Sequence, residues 1–300
     1  GEITNFGATV SKTSSGYSLK DLIIGAEGTL GVITELTLKV MPAPKVLASL
    51  IIPFENLHDC MSSVPKIKMA NVNPQALEFM EREIVLASER YIGKSVFPQV
   101  LDGVTANAYL LVTLDASSED ELDNLIEQTS EVVLEAGAID VLVADTPAKM
   151  KDAWAARSSF LEAIIAETKL LDECDVVVPV NKIASYLEFV NKAGEECGLT
   201  IKSFGHAGDG NLHIYQCSND LEEEEFKERV DKFFDIIYPE ATKCGGLVSG
   251  EHGIGSGKVS YLVESVGEVN MNLMRGIKKA FDPNCIMNPG KVCYLLDKDN

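Results

Sequence analysis

Three of the four histidines in this 300-residue chain stand in two glycine-rich stretches. The first is His206-Ala-Gly-Asp-Gly-Asn-Leu-His213, between two runs of β-forming residues. Asp-Gly between strands signals a two-residue hairpin, because both positions tolerate positive φ. With Asp209 and Gly210 as that loop, His206 and His213 become directly opposed partners on one face. Cross-strand Cβ atoms lie ~4.5–5.5 Å apart, so the two rings can converge on a metal ion through one nitrogen each. The second stretch is Ser249-Gly-Glu251-His252-Gly-Ile-Gly-Ser-Gly-Lys258. Neighbours in an extended segment point opposite ways, so Glu251 and His252 divide the labour. Glu251 completes a two-His-one-carboxylate site suited to Zn(II) or Fe(II), and His252 remains as a general base. Phosphate binding by a Walker loop is excluded, because Val259 follows Lys258 where Ser or Thr is needed.

Two further groups carry weaker signals. Arg157 lies on a helical stretch with the chain's single Trp, Trp154; Arg suits bidentate carboxylate binding, although most helical Arg residues are solvated or structural. The turn Gly25-Ala-Glu27-Gly28-Thr-Leu-Gly31-Val-Ile33-Thr34 precedes an alternating run. Alone it is modest evidence for a cofactor loop.

The elements that must position these residues follow from period and punctuation. Val32, Thr34, Leu36, Leu38 and Val40 lie two apart and predict a strand stopped by Pro42 and Pro44. Beyond Pro44, β-rich runs alternate with helical patterns, with Ser118 and Thr146-Pro147 as helix starts. DVVVPV at 175–180 reads as a strand, and a helix is expected near 268–280. That alternation leaves parallel α/β and antiparallel α+β both open. Forty-six acidic against 26 basic side chains give a formal charge of −20, which repels a phosphate backbone and argues against nucleic acid. No apolar run reaches the ~18–20 residues of a membrane span. Seven scattered cysteines without a CxxC pair fit buried thiols in a reducing, cytoplasmic compartment. Residue 1 is Gly, and neither a basic n-region nor an apolar signal core follows; the chain is expected to be a fragment of something longer.

Five stretches in order together resemble one family: GYSLKDLIIGAEGTLGVITELTLKVMP at 16–42, AWAAR at 153–157, GHAGDGNLH at 205–213, SGEHGIGSGK at 249–258 and FDPNCIMNPGKV at 281–292. The family is the FAD-linked 2-hydroxy-acid dehydrogenases of the vanillyl-alcohol-oxidase type. The resemblance implies an α+β fold: an antiparallel sheet with flanking helices, plus the closing part of a split FAD-binding domain. Residues 1–45 would close the flavin domain, 46–280 form the substrate or cap domain with the metal site, and 281–300 return to the flavin. By the same resemblance Gly25, Glu27, Gly28, Gly31, Ile33, Asn288 and Lys291 contact FAD. His206, His213 and Glu251 hold a divalent metal, His252 is the base, and Arg157 clamps the substrate carboxylate. The family's clamp often includes a second basic residue, whereas Asp172 occupies that neighbourhood here, which favours a monocarboxylate such as D-lactate or glycolate. The stretch DECDVVVPVNKIA at 172–184 resembles subunits that work beside an electron-transfer flavoprotein; an iron–sulfur subunit is the other partner implied. The competing readings are a flavin-free metal hydrolase or oxygenase, and an inert substrate-cap and assembly module.

Overall fold

The structure, a computed structural model, describes residues 1–293. Residues 294–300, the end of the expected flavin-returning tail, lie outside the described residues. The chain runs α1 (Leu19–Ile23), β1 (Val46–Phe54), α2 (Leu57–Met69), β2 (Ala76–Glu81), α3 (Arg82–Ile92), β3 (Val100–Leu101), β4 (Val104–Thr105) and β5 (Ala108–Ala116). It continues through α4 (Glu119–Glu135), β6 (Leu142–Ala144), α5 (Pro147–Ser158), α6 (Phe160–Glu167), β7 (Leu170–Val177), α7 (Ile183–Cys197), β8 (Thr200–His206), β9 (Asn211–Ser218), α8 (Glu223–Lys243) and α9 (Val259–Phe281).

Residues Ala43–Gly250 pack as one unit, and Gly1–Pro42 packs with the described residues from Glu251 to 293 as another. The first boundary falls three residues before the expected 45/46. The second differs more: residues 251–280, expected in the middle domain, group with the amino-terminal segment. The cause is local: Lys278 of α9 is buried and donates to the Thr29 carbonyl, and Glu27 accepts from the Ile254 and Gly255 amides.

The larger unit is built on a seven-stranded sheet in the order β6-β1-β5-β2-β8-β9-β7, every pair antiparallel. Central strands β1 and β5 are almost wholly apolar and buried, as strands covered on both faces must be. Register assigns the faces. Ile51, Met80, Tyr109, Leu111, Phe204 and Tyr215 share one, where they form a core with Ile84 and Val85 of α3, Ala153 and Ala156 of α5 and Phe160 and Ile164 of α6. The opposite face, with Leu50, Phe79, Val112 and Ile214, is covered by α2, α4, α7 and α8. Antiparallel pairing thus decides between the two architectures the element pattern allowed.

The local start signals behave as read. Ser118 Oγ accepts from the Glu121 amide at 3.3 Å, and Thr146 Oγ1 from the Lys149 amide at 3.3 Å, with Pro147 in the first turn. Two expectations are corrected. Residues 31–44 form no strand: they pair with no ladder among the described residues, and Leu38 and Val40 are 75% and 85% exposed. The strand expected at 175–180 runs instead from Leu170 to Val177, ending two residues before Pro179, which has no amide to donate. The helix expected near 268–280 is present as the part of α9 that follows Gly267, whose φ of 78° breaks it from a helical stretch beginning at Val259 that was not expected.

Candidate active site

The apolar face of the sheet changes character toward one end of β2, β8 and β9. There Glu78, His206, Asn211, His213, Glu173 and Asp175 share the face by register. The two imidazoles are brought together, though not as expected. His206 pairs with Asn211 and Phe204 with His213, so the loop is the four residues 207–210 and not Asp209-Gly210 alone. The reason is local. The His206 carbonyl accepts from both the Asp209 and the Gly210 amide, at 3.0 and 3.1 Å. Gly210, at φ 81°, packs so tightly under Val178 that an added Cβ would collide with its carbonyl oxygen. Lengthening the loop by two residues, both on its amino-terminal side, shifts the pairing by two and preserves parity. The histidines therefore remain on one face as diagonal neighbours, ring centroids 5.6 Å apart.

Buried acids stand behind both rings. Glu78, 5% exposed, is the cross-strand partner of His206, and its Oε1 lies 2.7 Å from His206 Nδ1. Its Oε2 accepts from Arg157 Nε at 3.0 Å and Nη2 at 2.7 Å. Burial pushes the Glu78 carboxyl up, but the His206 hydrogen bond and the Arg157 charge outweigh it and hold it below the usual glutamate range. A carboxylate can only accept, so His206 donates to it from Nδ1–H, and in the neutral ring the lone pair falls on Nε2. His213 Nδ1 lies 3.5 Å from Glu173 Oε1. Asp175, fully buried, is the cross-strand partner of His213 and accepts from the Gly250 amide at 2.8 Å and from Ser249 Oγ at 3.1 Å.

Arg157 projects from α5 into this cluster, its guanidinium 4.6 Å over the Phe204 ring and 5.4 Å from Phe160. Glu78 takes the Nε and Nη2 edge of the guanidinium, which leaves the Nη1 side turned away from it. Asp172, which the sequence put forward as the acid near a second carboxylate, is exposed; its neighbour Glu173 faces the histidines. Trp154 is structural, its indole N–H directed at Ser49 and Thr113.

The remaining predicted residues lie in the smaller unit. Glu251 and His252 are exposed neighbours on a bend, with His252 Nε2 3.7 Å from Glu251 Oε1, so they do not diverge as an extended segment would make them. Gly28, Gly31, Ile33 and Asn288 line a cavity of about 310 Å³ together with Ile23 and Met287. Asn288 Nδ2 donates to the Gly28 carbonyl at 3.0 Å, and an added Cβ at Gly28 would approach that nitrogen to 2.7 Å. Glu27, at φ 52°, does not line this cavity; its carboxylate accepts from the Ile254 and Gly255 amides at 2.7 and 2.8 Å. Gly25 and the exposed Lys291 also lie off the lining. The DPNCIMNPGK stretch folds around Asp282, which accepts from the Met287 and Ile286 amides and pairs with buried Lys278 at 2.5 Å.

Reading the sequence overlooked Glu78, Glu173, Asp175 and Asn211. The available signal was an acid inside an otherwise apolar strand, as in ALEFME and CDVVV. Asn211 Oδ1 is buried without a hydrogen-bond partner among the described residues, although its side chain lies on the face that carries both imidazoles. Two imidazoles on one face, one with its tautomer set by a carboxylate, fit a divalent ion, and an orphaned buried acceptor beside them fits a polar ligand.

The chain belongs to the family of FAD linked oxidases, C-terminal domain, which it matches over residues 43–292. It is 63% identical over 296 residues to the D-lactate dehydrogenase of Anaerostipes hadrus, covering 99% of this chain and 62% of that protein. It is 33% identical to the glycolate oxidase subunit GlcD of Bacillus subtilis, covering 97% of this chain and 60% of the relative. The chain thus spans about three fifths of the curated relatives it matches. Among solved structures it resembles p-cresol methylhydroxylase with substrate bound, at a TM-score of 0.65 and 17% identity, covering 87% of this chain and 55% of that one. At that identity the likeness concerns the fold. No helix among the described residues is long and apolar enough to cross a membrane.

Proposed function

We propose that the full-length protein is an FAD-dependent dehydrogenase that oxidises a small 2-hydroxy acid, D-lactate or glycolate, to the 2-oxo acid. The observation that carries this reading is the same-face imidazole pair of His206 and His213, backed by buried acids, in a chain of the FAD-linked oxidase family. His206, His213 and Glu251 would hold a divalent ion, Zn or Fe. Chain connectivity supports the third ligand: Gly250, held by the cross-strand partner of His213, immediately precedes Glu251. Gly28, Gly31, Ile33 and Asn288 would hold the flavin, with Gly25, Glu27 and Lys291 on the same two segments. When bound, FAD supplies the hydride acceptor, and the cation supplies charge that eases loss of the hydroxyl proton.

The protein's own part is orientation and proton transfer. Arg157 binds the carboxylate through the side of its guanidinium that Glu78 leaves open, fixing C2 relative to the base. His252 takes the C2 hydroxyl proton. The carboxylates of Glu173 and Asp175 on the same face disfavour a second negative charge, which supports a monocarboxylate over a dicarboxylate. Among partners, an electron-transfer flavoprotein or an iron–sulfur subunit would carry electrons onward.

The test compares two variants of the full-length flavoprotein. His213→Ala should lose its metal, while His252→Ala should retain it and lose about 10²–10⁴-fold in turnover of D-lactate with an artificial acceptor. Equal metal content and equal activity in both would sink the assignment of roles.

A further inference from the structure

Glu78 hydrogen-bonds both a candidate ligand and the candidate clamp. Its two carboxylate oxygens are divided between them: Oε1 on His206 Nδ1 at 2.7 Å, Oε2 on Arg157 Nε and Nη2 at 3.0 and 2.7 Å. The three come from separate elements, β2, β8 and α5, so nothing local in the chain brings them together. The packing allows little slack. Glu78 lies between cross-strand partners Leu111 and His206, and Arg157 is held against the Phe204 ring, which belongs to the same strand as His206.

We propose that Glu78 is a positioning residue that fixes the His206 tautomer and the Arg157 orientation at once, so that the ion and the substrate carboxylate are set in a single mutual geometry. This deepens the reading above and rests on it. The argument is one of donors and acceptors. Guanidinium can only donate, and two of its donors converge on Oε2. The carboxylate then offers Oε1 as an acceptor, which requires Nδ1–H on His206 and directs the lone pair of Nε2 away from Glu78 toward a ligand. A carboxylate behind a ligating imidazole also raises its basicity. Through Oε2 the same group commits one edge of Arg157, so a substrate carboxylate has only the Nη1 side available.

Glu78→Gln separates this from a merely structural role. The amide has one oxygen, which Arg157 claims, and its NH₂ then faces His206 Nδ1. That nitrogen must now accept, so the proton moves to Nε2. The experiment uses the full-length flavoprotein with histidine-selective ¹⁵N labelling, His206 being assigned by its loss in His206→Gln. In metal-free wild type, His206 should be the Nδ1–H tautomer; in Glu78→Gln it should shift toward Nε2–H. Zinc affinity, read by competition with a chromophoric chelator, should fall about 10–100-fold. KM for D-lactate should rise as Arg157 loosens, and Glu78→Asp should recover part of both losses. An Nε2–H tautomer in the wild-type protein overturns the inference without any variant. If His213→Ala abolishes zinc binding while Glu78→Gln keeps wild-type zinc affinity and KM, the inference fails and the metal reading stands. If zinc binding survives His213→Ala, both fall together.

Discussion

Strand β2 carries two glutamates three residues apart, and the sheet sends them to opposite faces with opposite fates. Glu78 meets Arg157 and His206, and its carboxyl is held below the usual range despite burial. Glu81 faces the α2 and α7 side, where Asn191 Nδ2 donates at 3.3 Å and Oε1 has no hydrogen-bond partner among the described residues. Burial there raises its pKa to about 7. The residue type and the strand are the same, and burial pushes both carboxyls up. Only the partners differ, so charge state in this sheet is decided by what the opposite element presents and not by burial as such.

That contrast can be broken at either glutamate. The largest effect is expected from Arg157→Met, which leaves Glu78 buried with its counter-charge removed. Stability at pH 7, read from urea unfolding, should drop by about 3–5 kcal/mol. The Glu78 contribution is fully present above the unfolded-state pKa and is lost as pH falls through the lower folded-state value, so the cost of Arg157→Met should shrink in acid. Glu81 has the reverse sign. Its folded-state pKa exceeds the unfolded value near 4.5, so its penalty is absent at pH 4, grows as pH rises toward 7 and is complete above that. Glu81→Gln should therefore stabilise the protein by roughly 3 kcal/mol at pH 8 and by almost nothing at pH 4. A pH-independent effect would contradict the raised value. The smallest change is Asn191→Ala, which removes the donor that partly offsets Glu81 burial. It should cost about 1 kcal/mol at pH 8 and less at pH 5, where the protonated acid depends on it less.

These two glutamates also mark where the sequence stops being informative. The helix starts at Ser118 and Thr146 were legible because a cap is written within four residues. The same-face placement of His206 and His213 was legible because parity survives an error in loop length. The length itself was not, since Asp209-Gly210 looks like a two-residue turn until Val178, from a distant segment, packs against Gly210. Glu78 was invisible as a site residue for a related reason: its partners lie 79 and 128 positions away and are chosen by register. Alternation at Val32–Val40 did suggest a strand, but a ladder needs a second strand, and no sequence period can supply one. Glu27, read as a cofactor contact, also ties down the Ile254 and Gly255 amides, a backbone role that leaves no trace in side-chain spacing.

The irregular stretch from 31 to 44 has a practical corollary. Greasy side chains at Val32, Leu36, Leu38 and Val40 reach water on a backbone whose donors and acceptors are not spent in a ladder. Such a ribbon is a template for edge-to-edge joining between molecules. The 300-residue chain handled by itself would therefore grow cloudy with concentration, with the strip acting as glue, however well packed the sheet of the larger unit.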